Sequence, residues 1–91
     1  MTDAQAPPIT MYSTGWCPYC DRARALLQRK GVPVHEYKID EDDMHRAEML
    51  ARSGGRRTVP QIFIGDRHVG GFDDLYALDK AGELDKLLGR A

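Results

Sequence analysis

Short β-type and helix-type segments alternate along this chain, separated by glycine and proline, and this alternation restricts the possible folds more than any other feature. β-prone residues predict a first strand over 9–13. Apolar residues spaced three and four apart predict a helix over 18–30, where a glycine stops it. A second strand is predicted over 34–39, with mediocre propensity, followed by a helix that Asp40 caps and that ends near residue 52.

The second half of the chain predicts a β-hairpin followed by helical segments. Residues 61–64 form a compact apolar strand, Gly65-Asp66 is a hairpin-turn signal, and residues 67–70 form the return strand. A helix then opens at residue 73 or 74, and after Gly82 a last turn or two closes the domain. Five leucines supply the apolar side of these segments: Leu75, Leu78, Leu84, Leu87 and Leu88.

The resulting order, βαβαββα, implies that the first two strands are parallel, because a helix joins them as a right-handed crossover. The hairpin extends the same sheet, and helices cover both faces. We therefore predict an α/β, thioredoxin-like fold with a four-stranded mixed sheet flanked by helices. A chain of 91 residues has room for a single core, so we predict one domain over residues 9–91 after a disordered tail at residues 1–8.

The second predicted helix has apolar residues whose spacing predicts one buried face. These residues are Met44, Ala47, Leu50 and Ala51. On this basis Met44 belongs to the core and Met49 to the surface.

Charge and composition exclude several classes of partner. Thirteen basic residues against fourteen acidic ones give a net charge of −1, which lacks the basic excess of a nucleic-acid-binding protein. No stretch approaches the roughly 18 apolar residues of a membrane span, and the amino terminus has neither a basic leader nor an apolar run. We therefore expect a cytoplasmic protein that binds neither nucleic acid nor membrane, and we expect it to be a monomer.

Two cysteines, Cys17 and Cys20, lie at the predicted start of the first helix. Two cysteines cannot form the multi-bridge framework of a small secreted scaffold, so the pair indicates redox chemistry or metal binding. Unpaired N–H groups at a helix amino terminus stabilise a thiolate, so Cys17 is the predicted nucleophile. Cys20, one turn later, faces the core and is the predicted resolving cysteine. Pro18 suits the first turn because its missing N–H would have no helical partner.

A structural zinc ion is the weaker alternative for this pair. Zinc requires four ligands, and the chain has no second Cys-x-x-Cys. The histidines at positions 35, 45 and 68 fall singly on different predicted elements. We therefore expect no metal site, and we assign His68 no catalytic role.

Three motifs together resemble one known family. They are Cys17-Pro18-Tyr19-Cys20 at a helix start, Thr58-Val59-Pro60 before a strand, and Gly70-Gly71-Phe72-Asp73-Asp74 before a later helix. In this combination, over about residues 9–88, the chain resembles the bacterial class I dithiol glutaredoxins, and residues 58–64 and 73–78 are similar to the short type called glutaredoxin three. Each motif alone would be weak, whereas their coincidence is specific.

The resemblance implies a glutathione-dependent thiol-disulfide oxidoreductase that reduces protein disulfides and glutathione mixed disulfides through Cys17 and Cys20. Glutathione would be the reducing co-substrate, with no tightly bound cofactor. The partners would be disulfide-containing or glutathionylated proteins, among which the family suggests ribonucleotide reductase.

The resemblance also implies one wall of a glutathione groove. Pro60 would follow a cis peptide bond beside the sulfur, so that the backbone of Val59 pairs with glutathione while Thr58 borders the groove. Tyr19 would border the sulfur end. Arg56 would bind the glycyl carboxylate through charge-assisted hydrogen bonds.

The opposite wall of the groove would come from the later helix. Gly71 would allow a close backbone approach, and the N–H groups of Phe72 and Asp73 would bind the γ-glutamyl carboxylate. Asp73 or Asp74 would bind the ammonium group, with Asp74 favoured. Arg57 is assigned to the solvated surface.

Some features depart from the family pattern or leave alternatives open. The position three before the nucleophile, commonly Lys in the family, is Thr14 here, so a cation near the sulfur is missing. Trp16 either shields a rim of the site or covers the helix end.

Two alternative functions remain open beside the glutathione-dependent one. A redoxin recycled by a flavoprotein reductase would need the cysteines and the proline but not residues 71–74. An iron–sulfur carrier is opposed by Pro18, where cluster-binding members usually have Ser or Gly.

Overall fold

A computed structural model describes residues 7–89, which form four strands and four helices. The strands are β1 (Ile9–Ser13), β2 (Val34–Lys38), β3 (Gln61–Ile64) and β4 (Arg67–Gly70). The helices are α1 (Pro18–Arg29), α2 (Asp43–Arg52), α3 (Phe72–Lys80) and α4 (Glu83–Leu87). Residues 1–6 of the predicted tail and residues 90 and 91 of the predicted domain lie outside the described residues, so the domain boundaries remain predictions.

The four strands form one mixed sheet in the order β2-β1-β3-β4. β1 is parallel to β2, with Ile9 opposite Val34, and α1 connects the two strands. The other pairs, β1 with β3 and β3 with β4, are antiparallel. The predicted fold class is therefore confirmed. The second strand forms despite its mediocre propensity because β1 supplies its hydrogen-bonding partner, and the predicted closing turns are the short helix α4.

Side chains alternate between the two faces of the sheet, so each face has its own apolar core. One core lies between the sheet and α1, α3 and α4, and its buried residues include Ile9, Met11, Leu26, Leu27, Ile62, Leu75 and Leu84. The other core lies under α2 and consists of Tyr12, Ile39, Met49 and Phe63. Helices thus cover both faces, as predicted.

The buried face of α2 differs from the predicted one. Met44 is 72% exposed and Met49 is fully buried, so the prediction that placed Met44 in the core and Met49 on the surface is wrong. Ala47 and Ala51 are also exposed, and Leu50 is half-buried.

Polar side chains of α2 explain this difference, because they pack on aromatic rings of the sheet. His45 stacks on Tyr37 with the ring centroids 4.4 Å apart, and the guanidinium of Arg52 lies 4.2 Å from the centroid of the Phe63 ring. An aromatic face attracts a cation as well as an apolar group. Apolar spacing alone therefore indicated the wrong side of the helix.

The residue that caps α2 is Asp42 rather than the predicted Asp40. The carboxylate of Asp42 accepts a hydrogen bond from the N–H of Met44 at 2.8 Å. Asp40 instead accepts a hydrogen bond from the N–H of Gly15 at 3.0 Å. Asp40 therefore holds the loop that lies two residues before Cys17.

The predicted hairpin turn at Gly65-Asp66 joins β3 to β4, with a φ of 59° at Gly65. The N–H of Gly65 donates to the carbonyl of Pro8 at 2.8 Å, which ties the start of the described chain to this turn. Between residues 7 and 89, no helix is long and apolar enough to cross a membrane.

Candidate active site

The two cysteines lie where the end of β1 leads into α1. Cys17 caps α1 with an extended backbone, and its Sγ accepts a hydrogen bond from the N–H of Cys20 at 3.1 Å. The two sulfurs form a disulfide, and the Cα atoms are 5.1 Å apart. Cys20 is completely buried, whereas Cys17 is half-buried. An incoming thiol therefore reaches the pair through Cys17, where the N–H groups of the helix start stabilise a thiolate once the disulfide is reduced.

The loop that precedes β3 lies directly beside Cys17. The carbonyl oxygen of Val59 is 4.0 Å from the Sγ of Cys17. The Val59–Pro60 peptide bond is cis, as the resemblance implied. Among the hydrogen bonds of residues 7–89, the N–H of Val59 has no partner, so it is available to an extended ligand.

Nine residues line one cleft of about 260 Å³ beside the cysteine pair. They are Tyr19, Arg56, Thr58, Val59, Pro60, Gly71, Phe72, Asp73 and Asp74. These are the nine residues that the resemblance assigned to a glutathione groove. The structure therefore brings together residues that are separated by up to 55 positions in the sequence.

The start of α3 forms one wall of this cleft. A Cβ atom on Gly71 would lie 3.5 Å from the carbonyl oxygen of Pro60, so the helix start and the opposite loop approach closely. The Oδ2 of Asp74 accepts a hydrogen bond from the N–H of Gly71 at 3.0 Å, which caps the helix. The N–H groups of Phe72 and Asp73 have no partner within the part of the chain that the structure describes. This wall thus offers free N–H donors next to carboxylates.

The other wall carries a cation on an anchored backbone. The N–H of Arg56 donates to the Oγ of Ser53 at 3.0 Å, and Ser53 is almost completely buried. The Arg56 side chain is exposed and forms no ion pair within residues 7–89. Since Asp73 and Asp74 lie on the opposite wall, the cleft suits a ligand that carries both carboxylate and ammonium groups.

Aromatic side chains surround the sulfur end of the cleft. Tyr19 is 52% exposed, and its ring centroid is 6.3 Å from that of Phe72. The guanidinium of Arg22 lies 5.1 Å from the centroid of the Tyr19 ring. Trp16 is 85% exposed, so its side chain covers neither the rim of the site nor the helix end to any large extent.

Sequence reasoning missed a polar connection behind the cleft. Gln61 is completely buried, and its Nε2 donates to the carbonyl oxygen of Thr58 at 3.0 Å. Its Oε1 lies 2.6 Å from the Nε2 of His68. The signal in the sequence is a glutamine that begins an otherwise apolar strand, because a buried polar side chain requires hydrogen-bonding partners.

A charged group on β2 supports the end of β1 next to the site. Glu36 accepts hydrogen bonds from Ser13, at 2.6 Å, and from Arg24, at 2.8 Å and 2.6 Å. The hydrogen bonds of Arg24 hold the pKa of Glu36 below its usual value, against an opposing contribution from burial. This network joins α1, which carries the cysteines, to the parallel strand pair.

The histidines do not converge with the cysteines into a metal site. His35, His45 and His68 lie on β2, α2 and β4, respectively. Within residues 7–89, no three His, Cys, Asp or Glu side chains are arranged to hold a metal ion.

Comparisons with known sequences find relatives that match most of this chain. A family model described as glutaredoxin matches residues 9–69. The glutaredoxin of Pseudomonas aeruginosa is 60% identical over 82 residues, which cover 90% of this chain and 96% of the relative. Glutaredoxin 3 of Escherichia coli is 56% identical over 80 residues, which cover 88% of this chain and 95% of the relative.

Solved structures are similar over a comparable share of this chain. The solution structure of the glutaredoxin of Brucella melitensis matches with a TM-score of 0.77 and 53% identity, covering 91% of this chain and 89% of that one. The crystal structure of a buckwheat glutaredoxin–glutathione complex matches with a TM-score of 0.81 and 31% identity, covering 91% of this chain and 77% of that one. The similarity to these two structures therefore covers about nine tenths of this chain.

Proposed function

Because this chain belongs to the glutaredoxin family and is a glutathione-dependent disulfide oxidoreductase with Cys17 and Cys20 as its redox pair, we propose that the cleft beside Cys17 binds glutathione. The observation that carries the proposal is the set of binding groups gathered around one cleft, with the Val59 carbonyl oxygen 4.0 Å from the Cys17 sulfur. A relative from buckwheat has been solved as a glutathione complex, which supports the same ligand here.

The wall formed by α3 takes the γ-glutamyl end of glutathione. The free N–H groups of Phe72 and Asp73 donate to the carboxylate, where the positive end of the helix adds to the attraction. Asp74 uses Oδ2 to accept from Gly71, so its second oxygen takes the ammonium group. Gly71 leaves room for the ligand backbone because it has no Cβ atom.

The opposite wall takes the rest of the tripeptide. The backbone of Val59 pairs with the cysteinyl residue in the manner of an added strand. Thr58 and Pro60 border the ligand, Tyr19 lies at its sulfur end, and Arg56 binds the glycyl carboxylate.

The dithiol route follows from the arrangement of the two sulfurs. The Cys17 thiolate attacks a protein disulfide, and one substrate sulfur leaves as a thiolate that takes up a proton. The Cys20 thiolate then attacks the Cys17 sulfur of the mixed disulfide, which releases the second substrate thiol. The product is the Cys17–Cys20 disulfide, the state that the structure shows. Two glutathione molecules reduce it and leave as glutathione disulfide.

Glutathionylated proteins require only Cys17. Its thiolate attacks the glutathione sulfur of the mixed disulfide, the protein thiol leaves, and the glutathionyl group occupies the cleft. A second glutathione thiolate then attacks the glutathione sulfur, and glutathione disulfide leaves with the Cys17 thiolate restored.

We extend the proposal to the setting of the enzyme. It acts as a monomer in the cytoplasm, where glutathione is kept reduced, and it carries no tightly bound cofactor. Its protein partners are disulfide-containing and glutathionylated proteins, with ribonucleotide reductase as a candidate. A Cys20→Ser variant that stalls the mixed disulfide identifies these partners by trapping them covalently.

A pair of adjacent arginines provides a matched test of the glutathione site. Arg56 lines the cleft, whereas the neighbouring Arg57 is also exposed but lines no part of it. We compare kcat/KM for a glutathionylated peptide with kcat/KM for the same peptide carrying a cysteine mixed disulfide, and we call their quotient the specificity ratio. Arg56→Ala should lower this ratio about three- to tenfold, because it removes a charge-assisted hydrogen bond.

Arg57→Ala is the control and should leave the specificity ratio within about twofold of wild type, since that side chain lies outside the cleft. Equal effects of the two substitutions would contradict the proposal, because a general loss of positive charge would then explain both results.

A further inference from the structure

Gln61 connects the cleft to the outer strand of the sheet. It is the first residue of β3, and its side chain is completely buried. Its Nε2 donates to both the carbonyl oxygen and the hydroxyl oxygen of Thr58, at 3.0 Å and 3.2 Å. Its Oε1 faces the Nε2 of His68, on β4, at 2.6 Å. A buried carboxamide is thus satisfied at both ends, by the loop at one end and by a histidine at the other.

The direction of each hydrogen bond follows from the chemistry of the groups. Because the amide nitrogen of Gln61 donates to Thr58, its oxygen is the atom that faces His68. An amide oxygen only accepts, so the Nε2 of His68 carries the proton and donates. Burial lowers the pKa of His68, with Arg56 lowering it further and Asp74 opposing, so the neutral ring is favoured at pH 7.

His68 is held in place for this role by its own packing. Its ring stacks on the buried ring of Phe63, with centroids 4.8 Å apart and planes inclined by 23°. This stacking therefore fixes the plane and the position of the imidazole independently of its hydrogen bond with Gln61.

The hydrogen bonds also define what Thr58 presents to a ligand. The Thr58 hydroxyl oxygen accepts from Gln61, which leaves its O–H to donate into the cleft that it lines. The Thr58 carbonyl is fixed by the same amide, one residue before the Val59 backbone that lies beside Cys17.

We propose that His68 and Gln61 are positioning residues for glutathione recognition, acting as a hydrogen-bonded relay that fixes Thr58 and the adjoining backbone of Val59. This inference rests on the proposed function of the cleft, and it assigns selectivity for glutathionylated substrates to a pair of residues outside its lining. Neither residue touches the reacting sulfurs, so the relay acts on binding of the glutathionyl group and leaves the chemistry of Cys17 unchanged.

Two substitutions of His68 separate the hydrogen bond from the ring. His68→Phe keeps a ring that stacks on Phe63 but removes the donor to Gln61. His68→Gln removes the ring but places an amide N–H near the position of the imidazole Nε2. The relay predicts that His68→Phe lowers the specificity ratio about fivefold, the effect of losing one hydrogen bond, and that His68→Gln restores it to within about twofold of wild type.

A role in packing predicts the reverse order, with His68→Phe tolerated and His68→Gln impaired. The proposal is overturned if His68→Phe keeps the wild-type specificity ratio, or if the specificity ratio of His68→Gln is as low as that of His68→Phe. Thermal unfolding of each variant confirms that the comparison is between folded proteins. Gln61→Met gives a second test of the relay, because it should lower the specificity ratio by a similar factor. In the double variant, His68→Phe should lower the ratio little further, since both substitutions break the same relay.

Arg56→Ala, measured alongside, distinguishes failure of the relay from failure of the glutathione site. If Arg56→Ala lowers the specificity ratio and His68→Phe does not, the relay is wrong and the site stands. If Arg56→Ala also leaves the ratio unchanged, the cleft does not bind the glutathionyl group, and the proposed function and the relay are both overturned.

Discussion

Replacement of Gly70 by alanine should damage both the stability of the protein and its recognition of glutathione. Gly70 ends β4 with a φ of +116°, a conformation that side chains rarely adopt. A Cβ atom there would lie 2.9 Å from the Cγ of Asp74, too close for both to stay in place. The Asp74 carboxylate would have to leave its hydrogen bond with the Gly71 N–H. One methyl group therefore strains the backbone and removes the cap of α3.

The structure gives the size of this effect. Positive φ costs a non-glycine residue about 1–2 kcal/mol. Loss of a helix cap adds about 1 kcal/mol. We expect Gly70→Ala to lower the free energy of unfolding by about 2–3 kcal/mol, which in a domain of this size corresponds to about 10–20 °C in Tm.

Gly82→Ala is the matched control, because Gly82 also has a positive φ, +78°, but an added Cβ atom would meet nothing within 4 Å. It should cost only the backbone term, about 1–2 kcal/mol, and leave the specificity ratio unchanged. Urea unfolding and the two-peptide assay measure both quantities. The reasoning is refuted if Gly70→Ala is no more destabilising than Gly82→Ala, or if it retains the wild-type specificity ratio.

Four further predictions follow from the site and its support. Cys17→Ser should abolish all activity, whereas Cys20→Ser should lose protein-disulfide reduction but keep deglutathionylation; equal loss in a deglutathionylation assay would contradict the monothiol route. Equilibration with glutathione buffers should give a reduction potential of about −200 to −230 mV, and a value near −270 mV would instead favour a redoxin that a flavoprotein reductase recycles. Thr14→Lys should raise the thiolate fraction of Cys17 by a factor that corresponds to about 1 kcal/mol or less, and high salt should reduce this effect. Thiolate absorbance, measured at low and high salt, tests both expectations. The pKa of Glu36 is lowered in the fold, chiefly by its hydrogen bonds with Arg24. Its stabilising contribution is therefore complete above its unfolded pKa of 4.5 and is lost as the pH falls through the folded pKa. In Glu36→Gln, the free energy of unfolding should decrease less steeply over this acidic range.

The order of the elements was predictable because most of them, though not the second strand, carry a clear local signal in the sequence. The first helix has its cysteine cap, its proline and its evenly spaced apolar residues, and the hairpin has Gly65-Asp66 between two short strands. These signals depend on neighbours within a few residues, which a single sequence displays directly.

The buried face of α2 was not predictable in the same way, because it depends on which surface of the sheet lies opposite. Arg52 reads as a surface residue by itself, yet it packs 4.2 Å from the centroid of the Phe63 ring. Likewise, nothing in the sequence distinguishes His68 from an ordinary strand residue. In the structure, the pairing of β4 with β3 brings its Nε2 to 2.6 Å from the Oε1 of Gln61. Contacts between side chains of different elements decide both cases, and the periodicity within one element carries no information about them.

Stabilisation of the Cys17 thiolate in this chain has to come from groups other than the side chain at position 14. The hydroxyl of Thr14 donates to the carbonyl of Trp16 at 3.2 Å, so it holds the loop before the helix and brings no charge to the sulfur. The Sγ of Cys17 instead accepts from the N–H of Cys20 at 3.1 Å, within the first turn of α1. A backbone donor at contact distance is fixed by the helix and is screened by salt far less than an exposed side-chain charge. The reactivity of this enzyme should therefore depend on the helix start and vary little with ionic strength, whereas a lysine at position 14 would add a component that salt removes.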